Sequence, residues 1–381
     1  MVVTAPQSIA DELSGLPDRE LAANVVETTK VLTAAARAGH NHWIIAFSGG
    51  KDSSLVTCLA VELLRRRTVD NTRIDVVYSD TLMELPPFAE NAISLLNFVR
   101  TLSSTHELPV HTHAVVAPME HRFWFLVLGK GYPPPHNHFR WCTERLKIWP
   151  SQKMMKGLVS DSSIILTGVR WGESDSRDGR MKGQMCSKDD SECGLGLWLH
   201  SESMMGIQGL APIAHWRTCK VWDFLLMADA WWGWPFRSLN KLYGQNGATR
   251  FGCWMCTLVK EDKALQAIIA RDEWSALSVL NEVRTELLTE GRKQENRLTQ
   301  PDGRLGRTTL SFRHHMLEQV IELQERLGVG LIADNEVAAI KAFWDIERQT
   351  GTPYTPECKF WKWQEKVNVV ECHSHSKERR S

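Results

Sequence analysis

Apolar residues in this chain follow two spacings in turn. The short apolar runs 43–47 (WIIAF), 74–78 (IDVVY) and 163–168 (SIILTG) read as buried strands, and 110–116 alternates as a strand does. Between them the spacing is helical. Residues 18–38 end near Gly39, and 55–67 place apolar side chains at 55, 56, 59, 60, 63 and 64. Residues 88–102 follow the breakers Pro86 and Pro87, and 143–156 contain Pro150 as a break or kink. Strands alternating with such helices predict an α/β fold, a parallel sheet with helices on both faces, over roughly residues 40–235. Residues 180–210 show no period and carry five Gly, which predicts a long insertion or lid. Residues 260–290, 309–328 and 334–349 are helical in spacing, the last with Asp334 as N-cap and Gly351 as stop. The polar tail from about Lys366 reads as frayed. The expected segments are an N-terminal helical piece (1–39), an α/β domain (40–258), a mostly helical C-terminal region (259–365) and a flexible tail (366–381).

Composition narrows the class. With 43% apolar and 24% charged residues in 381, the chain can bury a sizeable core, which excludes overall disorder. No run of about 18 apolar residues is present, so no transmembrane helix and no membrane partner are expected. The start lacks a basic, then apolar, leader. Nine Cys, an odd number, then read as cytoplasmic thiols or metal ligands rather than a disulfide framework. Zero net charge excludes a polycation such as a histone. It leaves local patches open: 137–156 and 291–315 each carry four net positive charges, enough to face phosphates or simply water.

The strongest chemical signal is the string Ser48-Gly49-Gly50-Lys51-Asp52-Ser53-Ser54 between a strand and a helix. Two Gly allow a turn whose amides point at an anion, and the helix N-terminus adds the positive end of its dipole. Lys51 offers a mobile cation, and Asp52 can hold Mg²⁺ or orient the loop. The spacing is not that of the Walker loop. The plain alternative is a Gly-rich turn with no ligand. A second element, Thr167-Gly168-Val169-Arg170-Trp171-Gly172-Glu173-Ser174-Asp175-Ser176-Arg177, follows the 163–168 strand. Gly168 lets a ligand approach the backbone, Arg170 and Arg177 can fork onto phosphate, and Glu173 can orient an arginine or a metal. A surface salt-bridge loop is the alternative.

These strings resemble those of the PP-loop ATP pyrophosphatases, with an adenine nucleotide α-hydrolase-like fold. The resemblance implies ATP bound with Mg²⁺ by Ser48, Gly49, Gly50, Lys51, Asp52, Ser53, Gly168, Arg170 and Arg177, and attack at the α-phosphorus. It places Lys51, Asp52, Arg170 and Glu173 in catalysis. It seats adenine near Asp80, with Glu84 a weaker candidate on the same rim.

The cysteines add a second chemistry. Cys253-Trp-Met-Cys256 is a C-x₂-C loop, able to share one metal or cluster. Cys142 is the best third ligand, at a helix start expected to lower its thiol pKa. The fourth is open among Cys186, Cys193 and Cys219. Cys193 is favoured, because Gly194 and Gly196 suit a tight ligand loop. Zinc or a redox dithiol are the alternatives, and Cys58 and Cys358 read as buried apolar residues.

RWCTERLK (140–147), GVRWGES (168–174) and RFGCWMC (250–256) together resemble the sulfur-incorporating proteins of bacterial DNA phosphorothioation systems, the DndC and SspD types. The resemblance covers roughly residues 40–265. It implies a 4Fe-4S cluster with Cys142, Cys253 and Cys256 as ligands, DNA backbone phosphate as substrate, a cysteine desulfurase as sulfur donor, and other phosphorothioation or restriction–modification proteins as partners. The family pattern has a further Cys after the C-x₂-C, and residues 257–270 contain none. Reductases of adenylyl sulfate or its 3′-phosphate compete. Their C-terminal E-C-G-x-H is approached by Glu371-Cys372-His373-Ser374-His375, without the Gly, and by Glu192-Cys193-Gly194, which is internal and lacks the His. Transfer-RNA thiolation and a non-catalytic nucleotide-binding subunit are weaker readings.

Overall fold

The computed structural model describes residues 9–13, 15–135, 140–172, 199–202, 207–244, 252–256 and 262–350. The chain divides into two compact units: residues 1–78, 90–115 and 151–249 form one, and residues 79–89, 116–150 and 250–381 form the other.

The first unit is built on a six-stranded sheet of order β3-β2-β1-β4-β6-β5. Its strands are β1 (His42–Phe47), β2 (Arg73–Asp80), β3 (Val110–Val116), β4 (Ser163–Leu166), β5 (Leu199–Glu202) and β6 (Ile207–Leu210). β1 pairs in parallel with β2 and β4, β4 in parallel with β6, and β5 runs antiparallel at the edge. The expected parallel sheet is therefore present, with one antiparallel edge strand. Ile44, Val77, Ile165 and Ile207 pack with Met155 and Leu158 of helix α6 (Trp149–Leu158). Trp43, Ile45 and Phe47 alternate onto the other face and are equally buried. Helices α1 (Ile9–Leu13) and α2 (Arg19–Arg37) precede β1, helix α3 (Lys51–Arg65) packs on β1, and the helix Thr218–Trp232 packs on α3. Burying β1 on both faces explains why it reads as a continuous apolar run. Each of its large side chains contributes ~1.5–3 kcal/mol.

Four local expectations need correction. α3 begins at Lys51, not at 55, because Gly50 takes the extended N-cap position (φ −86°, ψ 164°). Polar residues in its first turn hid that start from an apolar pattern. Helix α4 (Pro86–His106) opens on Pro86 rather than after Pro87, since a first-turn proline forfeits no helical hydrogen bond. β5 and β6 lie within 180–210, read as an insertion. Both are four residues long and partly polar, too short for a period to show. Pro150 does not end its helix. A π-turn (Glu144–Ile148) joins α5 (Trp141–Thr143) to α6 just before it, absorbing the hydrogen bond proline cannot make.

In the second unit, a π-turn (Phe125–Gly129) is packed by the helices Leu310–Leu327 and Asp334–Thr350. Trp124 Nε1 donates to the Leu331 carbonyl (2.9 Å) and Trp344 Nε1 to that of Leu128 (2.8 Å). Arg313 is buried and forks onto both oxygens of Glu347 at 2.9 Å. Asp334 stands in the first turn of its helix, where a carboxylate meets the positive end of the dipole. Gly351 lies outside the described residues. The helical region also holds a small hairpin, β7 (Arg297–Thr299) and β8 (Leu305–Thr308), which no apolar pattern announced. Among the described residues no helix is long and apolar enough to cross a membrane.

Candidate functional site

Strand order locates the first site. The connections turn to opposite sides of the sheet between β1 and β4, so a crevice opens beyond their carboxyl ends. The segments emerging there are 48–50 and 167–170. Gly49 adopts φ +75°, which a side chain would strain. No side chain caps α3, so its first amides and dipole face the loop. A Cβ on Gly168 would lie 2.8 Å from the Asp52 carbonyl carbon and the Ser53 nitrogen, so only glycine lets the β4 loop pass so close.

Side chains brace this loop from within. Ser53 Oγ donates to the Gly50 carbonyl (3.0 Å) and accepts from the Ser48 amide (3.1 Å). Lys51 is buried, with Nζ 2.8 Å from Asp52 Oδ2 and 5.6 Å from the Tyr243 ring centroid. Arg170 Nε donates to the other oxygen, Asp52 Oδ1, at 2.7 Å. The rest of its guanidinium donates to the Trp216 carbonyl (2.9 Å) and Thr218 Oγ1 (3.1 Å). Both Asp52 oxygens are thus engaged. Of the two roles open to Asp52, orienting the loop is the one its contacts support. Arg170 accordingly acts on the loop through Asp52. Two cations around one carboxylate leave one positive charge in surplus beside a helix N-terminus, a setting made for an anion.

Sequence reasoning missed Tyr243 and Thr218. Tyr243 OH accepts from the Lys51 amide at 3.4 Å and would stand 3.2 Å from a Cβ on Gly50. Neither belongs to a motif. Glu173, Arg177, Cys186 and Cys193 lie outside the described residues.

The second unit holds Cys142, Cys253 and Cys256. Glu84 and Cys253 form an antiparallel bridge, and the Trp254 amide donates to the Met83 carbonyl (2.9 Å). The Cys256 amide donates to the Cys253 carbonyl (2.9 Å), closing the C-x₂-C turn, and Arg284 Nε donates to the Cys256 carbonyl (2.8 Å). Buried Trp254 and Met255 anchor the turn, with Trp254 5.9 Å from Trp124 between ring centroids. Asp80 is buried and Oδ1 accepts from the Leu82 amide (2.9 Å), a local Asx turn. Burial, then the neighbouring Asp80 carboxylate, pushes Glu84 up to about 7.

Burial pushes the Cys253 thiol well up, and Glu84, Cys256 and Cys142 add to this. Cys142 is also pushed up, by burial first and then by Cys256. The expected lowering by a helix dipole is not seen, because α5 is one short turn and burial outweighs it. Cys142, Cys253 and Cys256 thus feel one another's charge, and three thiols suit iron–sulfur or zinc in kind. Among the described residues, however, no three His, Cys, Asp or Glu side chains converge closely enough to hold a metal ion. Cys219 is exposed and belongs to the first unit.

Known proteins resemble this chain over part of its length. The phosphoadenosine phosphosulfate reductase domain family matches residues 42–259. An uncharacterised protein of Methanocaldococcus jannaschii is 29% identical over 215 residues, 56% of this chain and 35% of its own length. A second from that organism is 27% identical over 211 residues, 55% of this chain and 40% of its own. The match thus spans well under half of either relative. A solved phosphoadenylyl-sulfate reductase from Candida auris, a phosphate complex, is 16% identical with a TM-score of 0.37, covering 67% of this chain and 99% of that one. Because the family match runs through the phosphate loop, the 168–170 loop and Cys142, Cys253 and Cys256, this chain belongs to the phosphoadenosine phosphosulfate reductase domain family.

Proposed function

We propose that this protein is an ATP pyrophosphatase that activates a DNA backbone phosphate for sulfur incorporation. A non-bridging phosphate oxygen attacks the α-phosphorus of ATP and pyrophosphate leaves. A sulfide-level nucleophile then attacks the DNA phosphorus and expels AMP, leaving a phosphorothioate. Adenylation is needed because an unmodified phosphate oxygen is a poor leaving group. The observation that carries this reading is the anion nest of Gly49, Gly50 and Lys51 at the uncapped start of α3. Lys51 would neutralise charge on the departing pyrophosphate, with Asp52 and Arg170 fixing its position. Mg²⁺ would ride with the phosphates of ATP.

Cys142, Cys253 and Cys256, with Cys193 as fourth, would hold a 4Fe-4S cluster. Such a cluster would supply redox or sulfur-handling chemistry. A cysteine desulfurase would deliver the sulfur, in a cytoplasmic assembly with other phosphorothioation proteins. Protein purified without oxygen should then carry iron and a broad absorbance near about 400 nm. Stoichiometric zinc with no iron would remove the cluster.

The family description favours one competing reading, reduction of adenylyl sulfate or its 3′-phosphate. One experiment separates the two: pyrophosphate release from ATP with and without DNA, against turnover of adenylyl sulfate. DNA-stimulated release supports adenylation. In Lys51→Ala it should fall by at least ~10²-fold, the usual loss on removing a transition-state cation, with the melting curve unchanged. Unchanged release in that variant would overturn the ATP reading. Turnover of adenylyl sulfate that is lost in Cys372→Ser would establish the reductase instead.

A further inference from the structure

Trp149 is 45% exposed in a chain that buries most of its other described tryptophans. Its surroundings are built. Arg145 lies 5.4 Å from the Trp149 ring centroid and 5.7 Å from that of Tyr132. It donates to His121 Nδ1 at 3.0 Å, and His121 meets Trp149 edge-on at 5.6 Å. The stack is anchored below by Trp141, which is buried, stacks on Phe123 (5.6 Å, 27°) and meets Tyr132 edge-on (5.7 Å). The π-turn Glu144–Ile148, a device frequent at functional sites, sets the direction in which Trp149 leaves the helix.

The charge around this stack is mostly positive. Among the described residues no carboxylate forms an ion pair with Arg145, and Lys147 is exposed, with the Glu84 carboxylate acting on its charge. Lys130 donates to the Glu120 carbonyl (3.2 Å). Burial, then Arg145, holds it down to about 8, with Arg307 adding to the repulsion and Glu120 opposing it. His121 is held down to about 4 by burial, Arg145 and Lys130, so near neutral pH it serves Arg145 as an uncharged acceptor. Cations crowded this way, beside a half-exposed indole, favour a polyanion that also carries flat aromatic groups. We propose that Trp149, Arg145 and Lys147 form a docking platform for single-stranded DNA, an unpaired base stacking on Trp149 and the flanking phosphates lying on Arg145 and Lys147. This rests on the DNA reading above and adds the strand form. Duplex bases have no free face for an indole, whereas unpaired bases do.

The test is fluorescence anisotropy of a labelled mixed-sequence oligonucleotide, single-stranded or in duplex, without ATP. A polyglutamate peptide serves as competitor. The single strand should bind more tightly than the duplex. Trp149→Ala should weaken it by about tenfold, in the range of one lost base stack, and leave duplex binding unchanged. Trp149→Phe should restore most of the affinity, and Lys147→Ala should lower the salt slope by about one. If Trp149→Ala does not fold, tryptophan fluorescence decides. Single-stranded DNA should quench the wild type more than Trp149→Phe, and equal quenching overturns the platform. Wild-type affinity in Trp149→Ala, an equal loss for duplex, or displacement by polyglutamate at equal charge also overturns it. The platform and the reaction fail separately. Trp149-dependent binding without pyrophosphate release removes the reaction alone, whereas DNA-stimulated release at full rate in Trp149→Ala removes the platform alone.

Discussion

Arg170 and Gly168 show how much a single residue can hide. The sequence motif placed both beside the phosphate loop, and both are there. Their roles differ from a direct grip on phosphate, because Arg170 spends its guanidinium on Asp52, Trp216 and Thr218. Gly168 is the sharper case. Backbone atoms of Asp52 and Ser53 sit 2.8 Å from where its Cβ would be, and backbone cannot swing away as a flexible side chain does. Gly168→Ala should therefore destabilise the chain by ~1–3 kcal/mol, the usual cost of overpacking. It should also weaken ATP binding by displacing the start of α3, which urea unfolding and nucleotide titration would read separately. Gly172→Ala is the control, since nothing lies within 4 Å of its Cβ, although its φ of +74° adds backbone strain. Lys51 and Gly49 were legible because the motif is contiguous. Tyr243 and Thr218 were not, because they reach the loop only through folding and no local pattern marks them.

At the scale of elements, legibility followed burial and length. β1, β2 and β4 carry apolar runs because both sheet faces are covered. β5 and β6 contribute four residues each and vanish into a Gly-rich stretch. The π-turns left no trace, because apolar spacing reports a face and not a hydrogen-bond pattern. One of them yields a prediction. Glu336 is buried and Oε1 accepts from the Phe125 amide (3.1 Å), while Arg122 stands 3.8 Å away. Burial outweighs these partners and pushes its carboxyl up to about 7 from 4.5. The folded state thus binds a proton that the unfolded state has released. Stability from this group is full below about pH 4.5 and is lost as pH rises through about 7. The difference amounts to about 3 kcal/mol. Glu336→Gln keeps an acceptor for Phe125 and should flatten that part of the profile in urea titrations. A slope unchanged from the wild type would show that another group is responsible.

Over the whole molecule the opposite sign enters from the first unit. Asp75 is fully buried and joins three strands of the sheet. His42 of β1 lies 2.7 Å from Oδ2, His113 of β3 lies 2.6 Å from Oδ1, and Arg73 of β2 lies 2.7 Å from Oδ2. His42 Nδ1 in turn meets Ser163 of β4 at 2.8 Å, which extends the network to a fourth strand. Burial alone would raise the Asp75 pKa. His113, Arg73 and His42 outweigh it and hold the carboxyl well below its ordinary value of 3.8. Its stability is present above about pH 4 and is lost as pH falls through that depressed value. Asp75 and Glu336 belong to different units and share no partner among the described residues, so their effects should add. Acid loss from Asp75 and the decline toward pH 7 from Glu336 together favour the range between about pH 4 and 5, while Glu84, pushed up to about 7, adds to the decline and His121, held down to about 4, opposes it. Asp75→Asn should remove the acid limb and lower stability throughout, since it leaves His42, His113 and Arg73 facing a neutral amide. Asp75→Asn with Glu336→Gln should remove both contributions and leave the slope set by Glu84, His121 and the other shifted groups. A double-variant profile with the same shape as the wild type's, read as the midpoint of urea unfolding against pH, would mean that neither buried carboxylate governs the stability of the chain.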